Sequence, residues 1–427
     1  MNNVDVRINR LGAVRDAEIS LRPFMLFMGE SGLGKSYVAF LAHYVYVLLN
    51  SDRLDHFFDG TDFSTLLKKA TNGQKILTVT AEDLFRWINA DAVTFIRYMV
   101  GHDKLDGDVE IRWPYFERNI DFIYSEELEG LANDEEMVYS ISTENFVYNK
   151  LSSQSKIDAR VFSLLIQAIL RDAIFNNLVR RIPYVLPPSR GALLELNERP
   201  PFRSGMYDEF FNLKNALSRP LIKAKEDDVI LDQLINRVNN GKVAQTDGQF
   251  VYTTSDGIPM PLTAAASSVK ELAPFTMALK KFHLEQCSIL FEEPEAHLHP
   301  KRQQSVADLI AYSLGKGTHM QVTTHSDYFV KRLNALLRAF RLAMKISKEK
   351  KQLLLKEARI IPEILLNPQW INAYYLSRRA DGSTEIRRYN IQKEDMIPFD
   401  SFEKTILDDF TVSDMMDKVE FPDIDEE

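Results

Sequence analysis

Cysteine is all but missing from the sequence. The 427 residues hold one, Cys287, so no internal disulfide can form, and the composition suits a reducing compartment. Long apolar runs are missing as well. The longest, Tyr37 to Leu49, has 13 residues and contains His43, whereas a bilayer span needs about 20. The opening residues, MNNVDVRINRLG, have no apolar signal core, so a cytoplasmic, non-membrane protein is expected. Positive charge is not in excess: 52 Lys and Arg stand against 61 Asp and Glu, a net charge of −9. General polyanion binding is therefore excluded, and any nucleic-acid contact needs a local basic patch. Gly/Ser linkers and internal repeats are also absent. What is present, 45% apolar and 26% charged residues, excludes disorder, collagen and coiled-coil rods.

Hydrophobic periodicity organises the chain. Val4, Val6 and Ile8 share a strand face, and Ala17 to Leu21 reads as a second strand. Phe24 to Met28 is apolar throughout, as in a strand buried on both faces. A glycine-rich turn follows, then a helix from about Ser36 to Asn50. Residues 51–104 read as mainly helical, with a break at Thr71-Asn72-Gly73. Alternation over 105–148 predicts a small antiparallel sheet, interrupted by the acidic run Glu126–Glu136. Asp158 to Arg181 reads as an amphipathic helix ended by Pro183. A helix is predicted over 227–242, and a hairpin over Val243–Leu262 with turns at Asp247-Gly248 and Asp256-Gly257. Helix, strand, helix, strand and helix from Ser268 to about Ala358 imply a parallel sheet flanked by helices. A last hairpin spans Ile371–Ile391. The expected division is 1–50, an insertion at 51–180, a second lobe at 181–412, and a solvated acidic end at 413–427.

Gly29-Glu30-Ser31-Gly32-Leu33-Gly34-Lys35-Ser36 fits the pattern G-x-x-x-x-G-K-[ST] between a buried strand and a helix. Such glycines let backbone N–H groups wrap a phosphate at a helix N-terminus. Lys35 then reaches the β- and γ-phosphates, and the Ser36 hydroxyl ligates Mg²⁺. Ser288 to Glu293 is an apolar strand ending in two carboxylates. Glu292 is assigned to the Mg²⁺ shell and Glu293 to polarising the attacking water. Met320 to Thr324 is a third strand, and His325 at its end is placed to donate to a γ-phosphate oxygen. Glu295, His297 and His299 put three potential zinc ligands in five residues, but no cysteine or distant histidine completes a set.

Together these segments resemble the ABC-type ATPases of the RecF, SMC and OLD-nuclease kind. Val4 to Ser36 resembles that family's opening β-hairpin and Walker A loop. Phe291-Glu292-Glu293-Pro294-Glu295-Ala296-His297-Leu298-His299-Pro300 is similar to its Walker B and D-loop, and Thr323-Thr324-His325-Ser326 to its switch histidine. Tyr184 to Arg190 resembles a Pro-Arg segment of these heads. Ala266 to Leu272 stands where the signature motif belongs, with Val269 in place of the usual glycine. The resemblance implies an α/β P-loop ATPase head with an N-terminal antiparallel β-subdomain and a helical and β insertion. It implies Mg·ATP binding and hydrolysis, and a head-to-tail homodimer or higher homo-oligomer in which Ser267, Ser268 and Lys270 reach the partner's nucleotide. Gln74 and Gln167 are the candidates for a Q-loop glutamine.

Heptad arms of SMC type are absent, and no acidic cluster of TOPRIM type follows the core. The chain thus resembles the stand-alone ATPase subunits of bacterial anti-phage systems, PARIS first and Septu second. That resemblance implies a sensor or scaffold that holds a separate effector nuclease of TOPRIM type and answers a phage-encoded trigger. The alternative is a RecF-like repair ATPase that contacts DNA ends or gaps through residues 331–359, where ten basic residues face two acidic ones.

Overall fold

The computed structural model describes residues 3–61, 63, 75–114, 118–129, 136–151, 159–176, 178–196, 198–219, 228–246, 248–391, 396–398, 410–412 and 415. Apart from Met415, the acidic end at 413–427 lies outside them, as do Gln74, Thr71-Asn72-Gly73 and Asp247 of the expected hairpin turn.

The chain opens with a hairpin of β1 (Asp5–Leu11) and β2 (Val14–Ser20), closed at Gly12-Ala13, and then enters β3 (Phe24–Gly29) and α1 (Lys35–Leu48). β4 (Lys75–Val79), α2 (Ala81–Val100), β5 (Gly107–Arg112), β6 (Ile120–Glu129), β7 (Glu136–Ser142), β8 (Val147–Leu151) and α3 (Ala159–Phe175) follow. The second half carries β9 (Ile182–Leu186), α4 (Arg190–Glu195), α5 (Gly205–Ser218), α6 (Val229–Asn239), β10 (Gly241–Thr246), β11 (Gln249–Thr254), β12 (Pro259–Pro261) and α7 (Ser267–Lys281). It ends with β13 (Cys287–Glu292), α8 (Pro300–Gly315), β14 (His319–Thr324), α9 (Asp327–Ala343), α10 (Lys348–Glu357), β15 (Ile371–Arg378) and β16 (Thr384–Tyr389).

Nine strands form one sheet in the order β5-β1-β2-β16-β15-β3-β14-β13-β9. Strands β15, β3, β14, β13 and β9 run parallel, and the β1–β2 and β15–β16 pairs are antiparallel. Strand β3 is buried along its whole length, which explains its unbroken apolar run. Phe24, Leu26 and Met28 enter the core shared with α5 to α9, while Met25 and Phe27 enter the opposite core under α1, α2 and α3. Each such side chain contributes about 1.5–3 kcal/mol on burial. The strand before the glycine-rich loop is therefore clamped from both sides.

Four expectations are refined or corrected. Within 51–104 the described residues are mainly helical, with α2 the main element, but a strand not expected there, β4, intervenes and pairs antiparallel with β6 in the four-stranded sheet β4-β6-β7-β8. Alternation over 105–148 does mark strands, but β5 leaves that small sheet and extends the main one beside β1, with Val109 opposite Ile8. The helix ascribed to Asp158–Arg181 ends at Phe175, because Asn176 takes a left-handed φ of 52°. The predicted 243–262 hairpin is a three-stranded sheet, β10-β11-β12.

Candidate nucleotide site

Two adjacent parallel strands, β13 and β14, and the loop after β3 end side by side, because β14 lies between β3 and β13. Ligands of open parallel sheets sit beyond the carboxyl ends of such strands. Here a cavity of 370 Å³ is lined by Ser31, Gly32, Gly34, Lys35, Ser36 and Tyr37, by Glu292 and Glu293, by Thr323 and His325, and by Gly12 and Ala13 of the β1–β2 turn.

Backbone geometry makes the loop possible. Gly29 has φ 128°, and a Cβ there would lie 2.3 Å from the Leu376 carbonyl oxygen, so no side chain fits. Gly34 precedes α1 with φ 88°, which favours glycine. Leu33 is buried and anchors the loop, while the Ser31 and Gly32 tip is exposed. Lys35 is folded back onto the loop: its Nζ donates to the Gly29 carbonyl at 3.0 Å and to the Glu30 carbonyl at 2.6 Å. Burial pushes its ammonium down to about 8, against the opposing pull of Glu293, Glu292, Glu295 and Glu30.

Glu292 ends β13 inside the cavity wall. Its Oε2 accepts hydrogen bonds from Ser36 Oγ at 2.8 Å and Thr323 Oγ1 at 3.0 Å, and its Oε1 is buried with no partner. Burial pushes this carboxyl up to about 7, only partly offset by those hydrogen bonds. A buried carboxylate oxygen without a donor, beside a serine hydroxyl, suits a hard cation such as Mg²⁺. The two residues predicted for that ion, 256 positions apart, are thus in direct contact.

Glu293 leaves the sheet in a left-handed turn with φ 45°, which places its side chain in the cavity mouth. Its N–H donates to the Thr323 carbonyl at 3.1 Å, and its Oε1 lies 3.7 Å from His325 Nε2. Burial, then the Lys35 charge, lower the His325 pKa below the ordinary value, and Glu293 opposes them. Its imidazole is thus neutral at pH 7. The backbone at His325 is held from behind: the buried Glu295 carboxylate accepts the His325 backbone N–H at 2.6 Å and the Thr324 hydroxyl at 2.8 Å.

Arg190 is fully buried behind the same strand end. Its guanidinium donates to the carbonyls of Glu271 (2.7 Å), Pro187 (3.0 Å), Glu292 (3.1 Å) and Glu293 (3.4 Å) and lies 4.7 Å over the Phe291 ring. It fixes the backbone that aims both glutamates.

Not every residue singled out from the sequence is in the cavity. Ser267, Ser268 and Lys270, at the start of α7, do not line it. Ser268 accepts from Arg302, and Lys270 donates to Glu195 (2.8 Å) and the Thr263 carbonyl (2.9 Å). Gln167 is a structural brace: its amide donates to the Leu48 and Ser51 carbonyls at the end of α1. In the segment with zinc-like spacing, Glu295 turns to β14 and His299 Nδ1 caps α8, accepting from the Lys301 N–H at 3.4 Å. Thr323, Tyr37 and Gly12 escaped sequence reasoning. Gly12 had a signal as the turn of a hairpin, and Thr323 as the residue two before His325.

The fold is α/β, with a glycine-rich loop of P-loop pattern between a buried parallel strand and a helix. Residues 193–330 match the family model described as an AAA ATPase domain, a span that includes β13, β14 and His325 but not the glycine-rich loop. No curated protein matches the sequence. Among solved structures, the chain is similar to an SMC head bound to the C-winged-helix domain of ScpA, with 12% identity and a TM-score of 0.40 over 92% of this chain and 99% of that one. The SMC head domain of Thermotoga maritima gives 8% and 0.35, over 91% and 99%. A Pyrococcus furiosus Smc head with an extended coiled coil, bound to the C-terminal domain of ScpA, gives 10% and 0.39, over 96% and 99%. Among the described residues no helix is long and apolar enough to cross a membrane.

Proposed function

We propose that the chain is a Mg²⁺-dependent ATPase that acts as the sensor or scaffold subunit of a bacterial anti-phage complex. The observation that carries the ATPase reading is the contact of Ser36 with Glu292 beside Lys35, Glu293 and His325 in one cavity. In this reading Lys35 exchanges its two loop carbonyls for the β- and γ-phosphates of ATP. Ser36 and the unpartnered Glu292 Oε1 hold Mg²⁺, which when bound offsets the phosphate charge. Glu293 takes the proton of the attacking water, and neutral His325 donates to a γ-phosphate oxygen.

Ser267, Ser268 and Lys270 lie off the chain's own cavity, which is compatible with their meeting the nucleotide of a second copy in a head-to-tail homodimer. Higher homo-oligomers would stack such dimers. Closure then changes the geometry of whatever is held on the head, so ATP state can hold, release or activate an effector nuclease of TOPRIM type in answer to a phage protein. A RecF-like reading has one observation in its favour: Arg338, Lys345, Lys348, Lys350 and Lys356 of the 331–359 stretch are exposed. Arg332, by contrast, is tied to Asp308 at 2.6 Å and Arg341 to the Ile391 carbonyl.

The test is co-expression with the adjacent gene and purification through a tag on this chain. The reading expects the neighbour to co-purify, phage resistance to need both genes, and Lys35→Ala and His325→Ala to abolish it. A neighbour that never co-purifies and is dispensable for resistance, with salt-sensitive DNA-end binding by this chain alone, would favour the RecF-like reading.

A further inference from the structure

Glu295 is a third carboxylate beside the nucleotide cavity, and the proposed ATPase chemistry gives it no part. It does not line the cavity. Two turns after β13 send its side chain back to the end of β14. The Ala296 N–H donates to the Glu293 carbonyl at 3.1 Å and the Leu298 N–H to the Glu295 carbonyl at 3.1 Å, with Glu293 and His297 in left-handed conformations. Glu295 Oε1 then accepts the His325 backbone N–H at 2.6 Å and the Thr324 hydroxyl at 2.8 Å. Thr324 Oγ1 in turn accepts the Ser326 N–H at 3.0 Å. One charged oxygen thus fixes residues 324, 325 and 326, directly or through a single hydroxyl, with the stronger bonds that an ionised acceptor makes. The other oxygen, Oε2, is buried with no hydrogen-bond partner.

The His325 imidazole itself is held by little. Its Nε2 lies 3.7 Å from Glu293 Oε1, too far for a hydrogen bond. No hydrogen bond of the ring to another described residue is found. Its aim into the cavity therefore depends on the backbone that carries it, and Glu295 holds that backbone on both sides. The fold does not depend on the same bonds. Segment 294–299 is tied to the end of β14 a second time, because Ser326 Oγ donates to Gln303 Oε1 and Gln303 Nε2 donates to the Leu298 carbonyl at 2.9 Å.

We infer that Glu295 is the positioning residue of His325: it keeps the imidazole aimed at the cavity without touching the nucleotide. The geometry stands on its own hydrogen bonds, and its consequence for hydrolysis rests on the ATPase reading. A group that donates to a phosphate oxygen is effective only when held in place by its surroundings, and a shift of about 1 Å costs up to a hundredfold in rate. Removing Glu295 should therefore act through His325 alone and leave ATP binding, which the glycine-rich loop supplies, as it is.

The test is a double-mutant cycle read by single-turnover hydrolysis of Mg·ATP, with ATP affinity measured in the same samples. Glu295→Ala should slow hydrolysis by about ten- to a hundredfold at unchanged affinity. Glu295→Gln, which keeps an acceptor oxygen in place, should recover most of that loss. In a His325→Ala background, Glu295→Ala should cost nothing further. A further loss in that background, a wild-type rate for Glu295→Ala, or a Glu295→Gln rate as low as that of Glu295→Ala would overturn the inference. The NMR resonance of the His325 Cε1–H reads the ring without turnover and should move in Glu295→Ala. A resonance that stays in place would overturn the inference whether or not the chain hydrolyses ATP. A wild-type chain without hydrolysis whose resonance does move would defeat the ATPase reading alone. If Glu295→Ala does not fold, Thr324→Val removes one of the two bonds to Glu295 and should move the same resonance; an unmoved resonance there would overturn the inference as well.

Discussion

Lys35 and Glu292 are both held where burial disfavours their charge, and each is shifted towards the middle of the pH scale. That is the state of a site whose counter-ions arrive with a ligand. That both belong to one site was legible in the sequence because contiguous segments, 29–36 and 288–293, carry them, and the two segments line one cavity. Arg190 and Thr323 act through contacts between residues up to about a hundred positions apart, which local pattern does not encode. The same holds for His43. From the sequence it is a polar interruption of an apolar run; in the fold it is fully buried, its Nδ1 3.1 Å from Gln321 Oε1. Burial holds its pKa down to about 4. Between pH 6.5 and 4 the unfolded chain therefore takes up a proton that the native chain refuses, so this residue's stability contribution is complete above 6.5 and is lost on acidification. A shift of this size is worth at most about 3 kcal/mol. Urea unfolding across that range should show a steeper loss for the wild type than for His43→Asn. Parallel curves would mean that His43 titrates normally.

At the scale of elements, period and turn chemistry located most strands and helices. They did not say which sheet a strand joins. β5 falls in the stretch that reads as a small antiparallel sheet, yet it pairs with β1, and it is β4, from a stretch that reads as helical, that pairs with β6. Partner choice comes from which face each strand can cover, here Val109 and Ile111 over the core under α1 and α2. Arg190 braces the end of β13 beyond its sheet pairing. Arg190→Met would leave the carbonyls of Pro187 and Glu292 without their donor, and the buried Glu271 carboxylate, 3.7 Å from Arg190, without its cation. A loss of about 3–5 kcal/mol is expected, read by urea unfolding, together with weakened nucleotide binding. A loss below about 1 kcal/mol would mean that β13 holds its own end.

For the whole molecule, the sheet order brings three chain segments, 12–37, 292–293 and 323–325, to one cavity. The proposed ATPase reading rests on the chemistry of that cavity, so the central claim is that Glu293 is the base of an ATP hydrolase. The direct measurement is single-turnover hydrolysis of Mg·ATP by wild type and Glu293→Gln, with ATP affinity and oligomeric state followed in the same samples. The account predicts unchanged affinity, hydrolysis slowed by about a hundredfold or more, and a dimer that accumulates in ATP. Hydrolysis at the wild-type rate in Glu293→Gln, or a wild-type chain that binds no ATP, would contradict it.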